Sequence, residues 1–401
     1  MSFSRIARRV PSAKAAKAGS KRACRPSTIR FNGIPAQNLC QQNRTSEQGW
    51  RRAAPPGAKS TILGFGRRQR RCGLADRALQ CRPRTGKCTT CPWEPDVPEH
   101  FADRLIEAVQ GRSTPACVGI DPLIDSLPAS LVPTERSEQA DLEAVRRFCL
   151  DVIEVVAPVV PIVKINVAFF EPYRAPGIQL YDDLVAVAHS AGLMVIGDVK
   201  RGDIGHSTVQ YARAHLGGDG RHPCVDAVTV SPYLGSDGVE PFLVPARRHG
   251  RGVFVLVQTS NPTAERLQGL ELTSGGTVSD AVGGLVAEWA AADGLVGTSG
   301  YSAVGAVVSP RDVPSTRRLR AAMPRCTFLV PGFGAQGRSV EEVATCFNAD
   351  GLGAIVNASR SVIYAFQGKP ADAPGGWQAQ VREAAVEFVA QLKRMHSERR
   401  E

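Results

Sequence analysis

Two carboxylates and a lysine, Asp198, Lys200 and Asp203, lie within six residues of one another. They directly follow the apolar run Leu193–Ile196, which has the composition of a buried strand. Side chains alternate along a strand, so Asp198 and Lys200 are expected on the same face. Charges at the end of a buried strand are costly to desolvate unless they pair with each other or take part in chemistry. The spacing therefore predicts either a salt-bridged strand end or a catalytic site.

A second lysine, Lys164, lies inside the apolar segment 159–170. An unpaired ammonium group would be strongly disfavoured in such surroundings. We therefore expect Lys164 to pair with Asp198 or Asp203. The alternative is a lysine whose aliphatic stem is buried while its amine reaches solvent.

The elements that must position these residues alternate along the chain from residue 99 onwards. Short apolar runs typical of buried strands alternate with longer amphipathic segments typical of helices. The predicted strands are Ala116–Ile120, Val159–Ile165, Leu193–Ile196, Ala227–Val230, Val253–Val257, Ala303–Val308, Thr327–Val330 and Gly353–Val356. Eight such units in roughly 300 residues predict a (β/α)8 TIM barrel. A doubly wound open sheet is the alternative, although no G-x-G-x-x-G motif follows the first strand.

Active sites of such barrels lie at the carboxyl ends of the strands. Asp121 follows the first predicted strand, the glycines Gly332 and Gly334 follow the seventh, and Arg360 follows the eighth. Backbone amides of a glycine-rich turn and a nearby cation commonly bind phosphate at this position. We therefore predict a phosphorylated small molecule as substrate, with its reacting end near Lys200.

Charge divides the chain into two unlike parts. Residues 1–98 carry 21 Lys and Arg against 4 Asp and Glu, whereas residues 99–401 carry 28 against 34. The first part lacks hydrophobic periodicity and is rich in Arg, Pro, Gly and Ser, so we expect a disordered extension. We expect a folded domain over 99–396 and a charged tail over 397–401.

The extension over 1–98 has several interpretations. It is either a disordered arm or an upstream addition to a protein whose start lies near Val97. Acid-poor, Arg-rich sequence is also typical of transit peptides and of arms that bind nucleic acid. A zinc site formed by cysteines is disfavoured, because only the last two of the four candidates have ligand spacing. Those candidates are Cys72, Cys81, Cys88 and Cys91.

The folded part resembles the longer, bacterial (type 2) form of orotidine 5′-phosphate decarboxylase. The resemblance rests on the D-x-K-x-x-D-I pattern beginning at Asp198, with supporting matches at 117–122, 259–262 and 331–337. It implies a homodimeric (β/α)8 barrel that converts orotidine 5′-phosphate to UMP and CO2, the last step of de novo UMP synthesis. It also implies a cytoplasmic enzyme that uses neither a metal nor an organic cofactor.

By motif position, the resemblance assigns Lys200 as the acid that protonates C6 of the pyrimidine. Lys164 and Asp198 complete a charged array, and Asp203 reaches into the partner subunit's site. By the same resemblance, Asp121 binds the ribose, Ser260 faces the pyrimidine, and Gln336 and Arg360 hold the phosphate, beside the glycine turn of Gly332 and Gly334 predicted above. The family usually has Thr four residues after the second Asp. Here Ser207 occupies that position and Thr208 follows it, so either hydroxyl could serve.

Two other functions remain open on the sequence alone. Magnesium-dependent sugar-phosphate decarboxylases and aldolases of the same barrel share the D-x-K-x-x-D pattern. A nucleic-acid-binding protein that acts through its basic arm is the alternative from a different class. No run of 18 apolar residues predicts a membrane span, and the scattered cysteines after residue 98 are typical of reduced thiols in a cytosolic protein.

Overall fold

The computed structural model describes residues 98–217, 220, 222–332, 340–370 and 374–398. The predicted extension over 1–98 lies outside the described residues except for Pro98, and so do the four candidate zinc cysteines. Of the predicted 397–401 tail, only the first two residues are described, and they continue the last helix. Within the described part, no helix is both long enough and apolar enough to cross a lipid bilayer.

Eight parallel strands close into a barrel in the order of the sequence, and the last strand pairs with the first. The strands are β1 Ala116–Ile120, β2 Ile162–Asn166, β3 Met194–Arg201, β4 Ala227–Val230, β5 Gly252–Gln258, β6 Val304–Val308, β7 Phe328–Val330 and β8 Ala354–Ala358. Every residue of β1, β4, β6, β7 and β8 is buried, as expected for a sheet covered on both faces. The predicted TIM barrel is confirmed.

Helices alternate with the strands and cover the outside of the barrel. They are α1 Phe101–Arg112, α2 Glu138–Val156, α3 Arg174–Ser190, α4 Gly205–Leu216, α5 Ser236–His249, α6 Glu265–Gln268, α7 Val278–Ala290, α8 Val313–Ala322, α9 Val340–Ala344, α10 Arg360–Ile363 and α11 Gly376–Glu398. Side-chain caps fix several starts: Ser137 accepts a hydrogen bond from the Ala140 amide, and Thr277 and Asp280 form a capping box.

One strand boundary differs from the prediction in a way that matters for the site. The predicted third strand ends at Ile196, but β3 continues to Arg201. Its pairing with β4 shifts register, because Gly197 lies opposite Val228 whereas Arg201 lies opposite Val230. This β-bulge carries Asp198 and Lys200, so both belong to the irregular end of a strand rather than to a loop.

At the opposite, amino-terminal end of the barrel, the buried carboxylate of Asp226 links several elements. Asp226 lies 2.7 Å from Arg104, 2.9 Å from His189 and 3.5 Å from Arg251, and it accepts a hydrogen bond from the Val195 amide. Burial would raise the pKa of Asp226, but the hydrogen bond to His189 and the Arg104 charge outweigh burial and lower the pKa from 3.8 to about 2. The network joins α1, α3, β3 and β4, so we assign it a structural role.

We predict that Asp226→Asn lowers the free energy of unfolding by about 3 kcal/mol, because two guanidinium groups lose a buried partner. The folded-state pKa is depressed, so the Asp226 contribution is complete above its unfolded value of 3.8 and is lost as pH falls toward about 2. The stability difference between wild type and variant should therefore shrink below about pH 4. Urea unfolding across this pH range measures it.

Asp183→Asn is the matched control, since Asp183 pairs with Arg146 at the surface. It should cost less than about 1 kcal/mol. Equal losses in both variants would contradict the structural role assigned to Asp226.

Candidate active site

A cavity of about 240 Å³ opens at the carboxyl ends of the strands. Seven of the residues predicted from the sequence line it: Asp121, Lys164, Asp198, Lys200, Ser260, Gly332 and Arg360. They follow or end β1, β2, β3, β5, β7 and β8, so the closure of the barrel brings distant parts of the chain together. This is the location at which enzymes of this fold carry out their chemistry.

Alternating charges form the floor of the cavity. Lys200 Nζ lies 2.5 Å from Asp198 Oδ1, and Lys164 Nζ lies 2.8 Å from Asp198 Oδ2. Asp121 Oδ1 lies 3.7 Å from Lys164 Nζ and completes a row in the order Lys200, Asp198, Lys164, Asp121. The predicted pairing of Lys164 with Asp198 is confirmed. No ion pair of Lys164 with Asp203 occurs among the described residues.

The array keeps its charges despite burial. Desolvation would raise the pKa of Asp198, but the ammonium groups of Lys164 and Lys200 hold that pKa well below its usual range. Desolvation would likewise lower the pKa of Lys164, but Asp121 and Asp198 raise that pKa above its ordinary value. Asp198 and Lys164 therefore both stay charged at neutral pH.

Exposure distinguishes the two lysines. The side chains of Lys164 and Asp198 are each 8% exposed, whereas that of Lys200 is 51% exposed. Lys164 is therefore enclosed by the barrel, and Lys200 presents its ammonium group to the open cavity. Lys200 is therefore the more accessible of the two lysines to a molecule bound in the cavity.

The predicted phosphate side of the cavity is described in part. Gly332 has φ +80°, a conformation that favours glycine, and Arg360 begins α10 directly after β8. Gly334 and Gln336 lie outside the described residues. Gly119 makes room at the same end of the barrel, because a Cβ there would collide with the hydroxyl of Ser359, which also lines the cavity.

Three predicted residues do not line the cavity of their own chain. Asp203 is half-buried and accepts a hydrogen bond from the Ile204 amide at 2.8 Å. Ser207 is exposed on α4. Thr208 is fully buried in the core, and its hydroxyl has no partner among the described residues. Ser207 is therefore the more accessible of the two hydroxyls, and a contact of either with substrate stays a prediction.

Sequence reasoning missed several residues that line the cavity. Thr229, Asn166 and Asn357 add polar groups, while Leu256 and Val307 add an apolar wall. All five belong to strands or end them, and their types are also common in an ordinary barrel core. Only their inward-facing positions near the carboxyl ends could have identified them.

Comparisons with known proteins agree with this geometry. The model of the orotidine 5′-phosphate decarboxylase / HUMPS family matches residues 116–371. The orotidine 5′-phosphate decarboxylase of Rhodopirellula baltica is 40% identical over 301 residues, covering 73% of this chain and 99% of the relative. That of Deinococcus radiodurans is 39% identical over 265 residues, covering 66% of this chain and 89% of the relative.

Solved structures are similar over the same part of the chain. The structure of Leishmania donovani OMP decarboxylase superposes with a TM-score of 0.57 and 28% identity, covering 74% of this chain and 99% of that one. The family match covers more than half of the sequence and includes the whole charged array. This chain belongs to the orotidine 5′-phosphate decarboxylase / HUMPS family.

Proposed function

We propose that this protein converts orotidine 5′-phosphate to UMP and CO2, the last step of de novo pyrimidine nucleotide synthesis. The observation that carries the proposal is the array of Lys200, Asp198, Lys164 and Asp121 in a cavity that Arg360 also lines. The relatives that match nearly their whole length to this chain bear the name of this activity. We also propose that the protein is cytoplasmic, because the scattered cysteines after residue 98 suit a reducing compartment.

The chemistry requires fixed charge more than a conventional catalytic group. When the bond between C6 and the carboxylate breaks, CO2 leaves and the electron pair remains on C6, where no adjacent carbonyl can accept it. The Lys200 ammonium group stabilises that negative charge and then transfers a proton to C6. Asp198 keeps this ammonium group in place, and its own charge opposes the substrate carboxylate before CO2 departs.

The remaining contacts orient the substrate. Arg360 and the amide of Gly332 would bind the phosphate, and Asp121 would accept hydrogen bonds from ribose hydroxyls. Ser260 would face the pyrimidine beside the apolar wall of Leu256 and Val307. Phosphate binding far from C6 supplies energy that holds the reacting end against Lys200.

The contacts of Asp198 also disfavour the activity of the magnesium-dependent relatives. The carboxylate of Asp198 already accepts from two ammonium groups and from the Thr229 hydroxyl at 2.9 Å. A carboxylate engaged in this way is a poor ligand for a hard cation that requires near-octahedral oxygen ligands.

The function is tested by following the absorbance of orotidine 5′-phosphate with the full chain in the presence of EDTA. Rapid conversion that EDTA does not inhibit supports the proposal. Turnover of a keto-sugar phosphate that requires magnesium, with no conversion of orotidine 5′-phosphate, would replace it with the activity of the magnesium-dependent relatives.

We also propose that the active form is a homodimer in which Asp203 completes the partner's site. Large apolar side chains are exposed beside Asp203: Ile204, Leu234 and Tyr233, the last of which is 80% exposed. A Cβ added at Gly238 would lie 3.3 Å from the Asp203 carbonyl oxygen and 3.4 Å from the Leu234 Cβ, so Asp203 and Leu234 both border Gly238. An exposed apolar surface next to a charged residue that does not line the cavity of its own chain suits a two-fold interface.

Complementation tests the shared site. Lys200→Ala and Asp203→Ala should each be inactive alone as homodimers. If the subunits exchange, their mixture should recover up to about a quarter of wild-type activity, because half of the dimers then contain one intact site. Activity assays after co-refolding, with molar mass measured by light scattering, provide the readout. No recovery in a mixture that contains heterodimers would contradict the contribution of Asp203 in trans.

A further inference from the structure

Thr229 lies on β4 directly opposite the β-bulge that carries the reactive lysine. From Gly197 to Arg201, β3 advances four residues while β4 advances only from Val228 to Val230. The extra residues cannot all find a backbone partner on β4, so their amides and carbonyls need other groups. Lys200 lies in this bulge with φ +41°, a left-handed conformation that is unfavourable for any residue with a Cβ.

The Thr229 hydroxyl supplies a partner for the Lys200 amide and also contacts Asp198. It accepts a hydrogen bond from the Lys200 backbone amide at 3.0 Å and donates one to Asp198 Oδ1 at 2.9 Å. Thr229 is 1% exposed, so water cannot easily replace either bond. A hydroxyl group both accepts and donates, whereas the isosteric side chain of valine does neither.

We propose that Thr229 is a positioning residue, which holds the Lys200 backbone in its left-handed conformation and fixes the Asp198 carboxylate between the two lysines. Its effect on turnover rests on the proposed decarboxylase function, whereas its effect on Lys200 geometry does not. The hydroxyl acts through Lys200 and Asp198, so its loss should impair the chemical step more than the binding of the phosphate, which is assigned to Arg360 and Gly332.

Three variants separate this role from ordinary burial of a hydroxyl. Thr229→Val removes the hydroxyl and keeps the shape, and Thr229→Ser keeps the hydroxyl. Thr114→Val is the matched control, because Thr114 is also 1% exposed and its hydroxyl accepts from the Ala116 amide at the opposite end of the barrel. If Thr229→Val does not fold, Thr229→Ala takes its place.

Steady-state kinetics with orotidine 5′-phosphate are the first readout. Thr229→Val should lower kcat by about 10- to 100-fold, the effect of losing a hydrogen bond to a charged group, and should change KM by less than about threefold. Thr229→Ser and Thr114→Val should stay within about threefold of wild type. Wild-type kcat in Thr229→Val, or an equal loss of kcat in Thr229→Ser, would overturn the proposal.

A crystal structure of Thr229→Val is the second readout, and it does not depend on turnover. Lys200 should leave the left-handed region, and its ammonium group should move away from Asp198. An unchanged Lys200 conformation in the variant would overturn the proposal. If the wild-type protein converts no orotidine 5′-phosphate, the proposed function fails while this structural test of Thr229 still applies.

Discussion

Replacing Lys200 with alanine should lower kcat for orotidine 5′-phosphate by at least about 10⁴-fold, because the variant loses both the proton donor and the charge beside C6. The fold should survive, since the Lys200 side chain is 51% exposed and Asp198 retains its bond to Lys164. Turnover measured over hours at high enzyme concentration, with circular dichroism as the check on folding, tests this expectation.

Two further lysine variants sharpen the test. Lys200→Arg keeps a positive charge but holds its proton too tightly to release it at neutral pH, so it should also be severely impaired. Lys369→Ala is the control, because Lys369 is exposed and does not line the cavity. Near-normal turnover by Lys200→Ala would remove the basis for the proposed mechanism.

Replacing Asp198 with asparagine should impair both catalysis and stability. We expect kcat to fall by about 10³-fold, because the ammonium group of Lys200 loses its partner and its position. We also expect the free energy of unfolding to fall by about 3 kcal/mol, because Lys164 is left enclosed with only Asp121, 3.7 Å away. Chemical unfolding and steady-state kinetics measure the two effects separately.

A double substitution distinguishes these effects. Adding Lys164→Met to Asp198→Asn removes the uncompensated charge, so it should restore about 2 kcal/mol of stability without restoring turnover. If Asp198→Asn alone were as stable and as active as wild type, the charged array would have neither the structural nor the catalytic importance assigned to it.

Hydrophobic periodicity was sufficient to predict the fold. The predicted strands Ala116–Ile120 and Ala227–Val230 match β1 and β4 residue for residue, because Pro115 and Asp121 bound the first run and Asp226 and Ser231 bound the second. The second strand begins later than predicted, at Ile162, since Pro161 cannot donate to the sheet. The predicted strand boundaries were wrong where the strand continues beyond the apolar run, as at the end of β3.

The charged core of the site was also predictable, for a physical reason. A lysine in an apolar strand requires carboxylates, and the closure of the barrel determines which ones can reach it. Thr229 was not predictable, because threonine is common in strands and the bulge opposite it has no sequence signal of its own. The sequence could not show whether Ser207 or Thr208 is exposed, because the hydrophobic periodicity did not determine which face of α4 is buried. The assignment of Asp203 to the partner subunit's site stays a prediction.

The central claim is tested most directly with orotidine 5′-phosphate that carries ¹³C in its carboxylate. The full chain, EDTA and the labelled substrate would be followed together by NMR. We expect the label to appear as CO2 and bicarbonate, with one equivalent of UMP bearing a new hydrogen at C6. Unchanged substrate in the presence of folded, dimeric protein would contradict it.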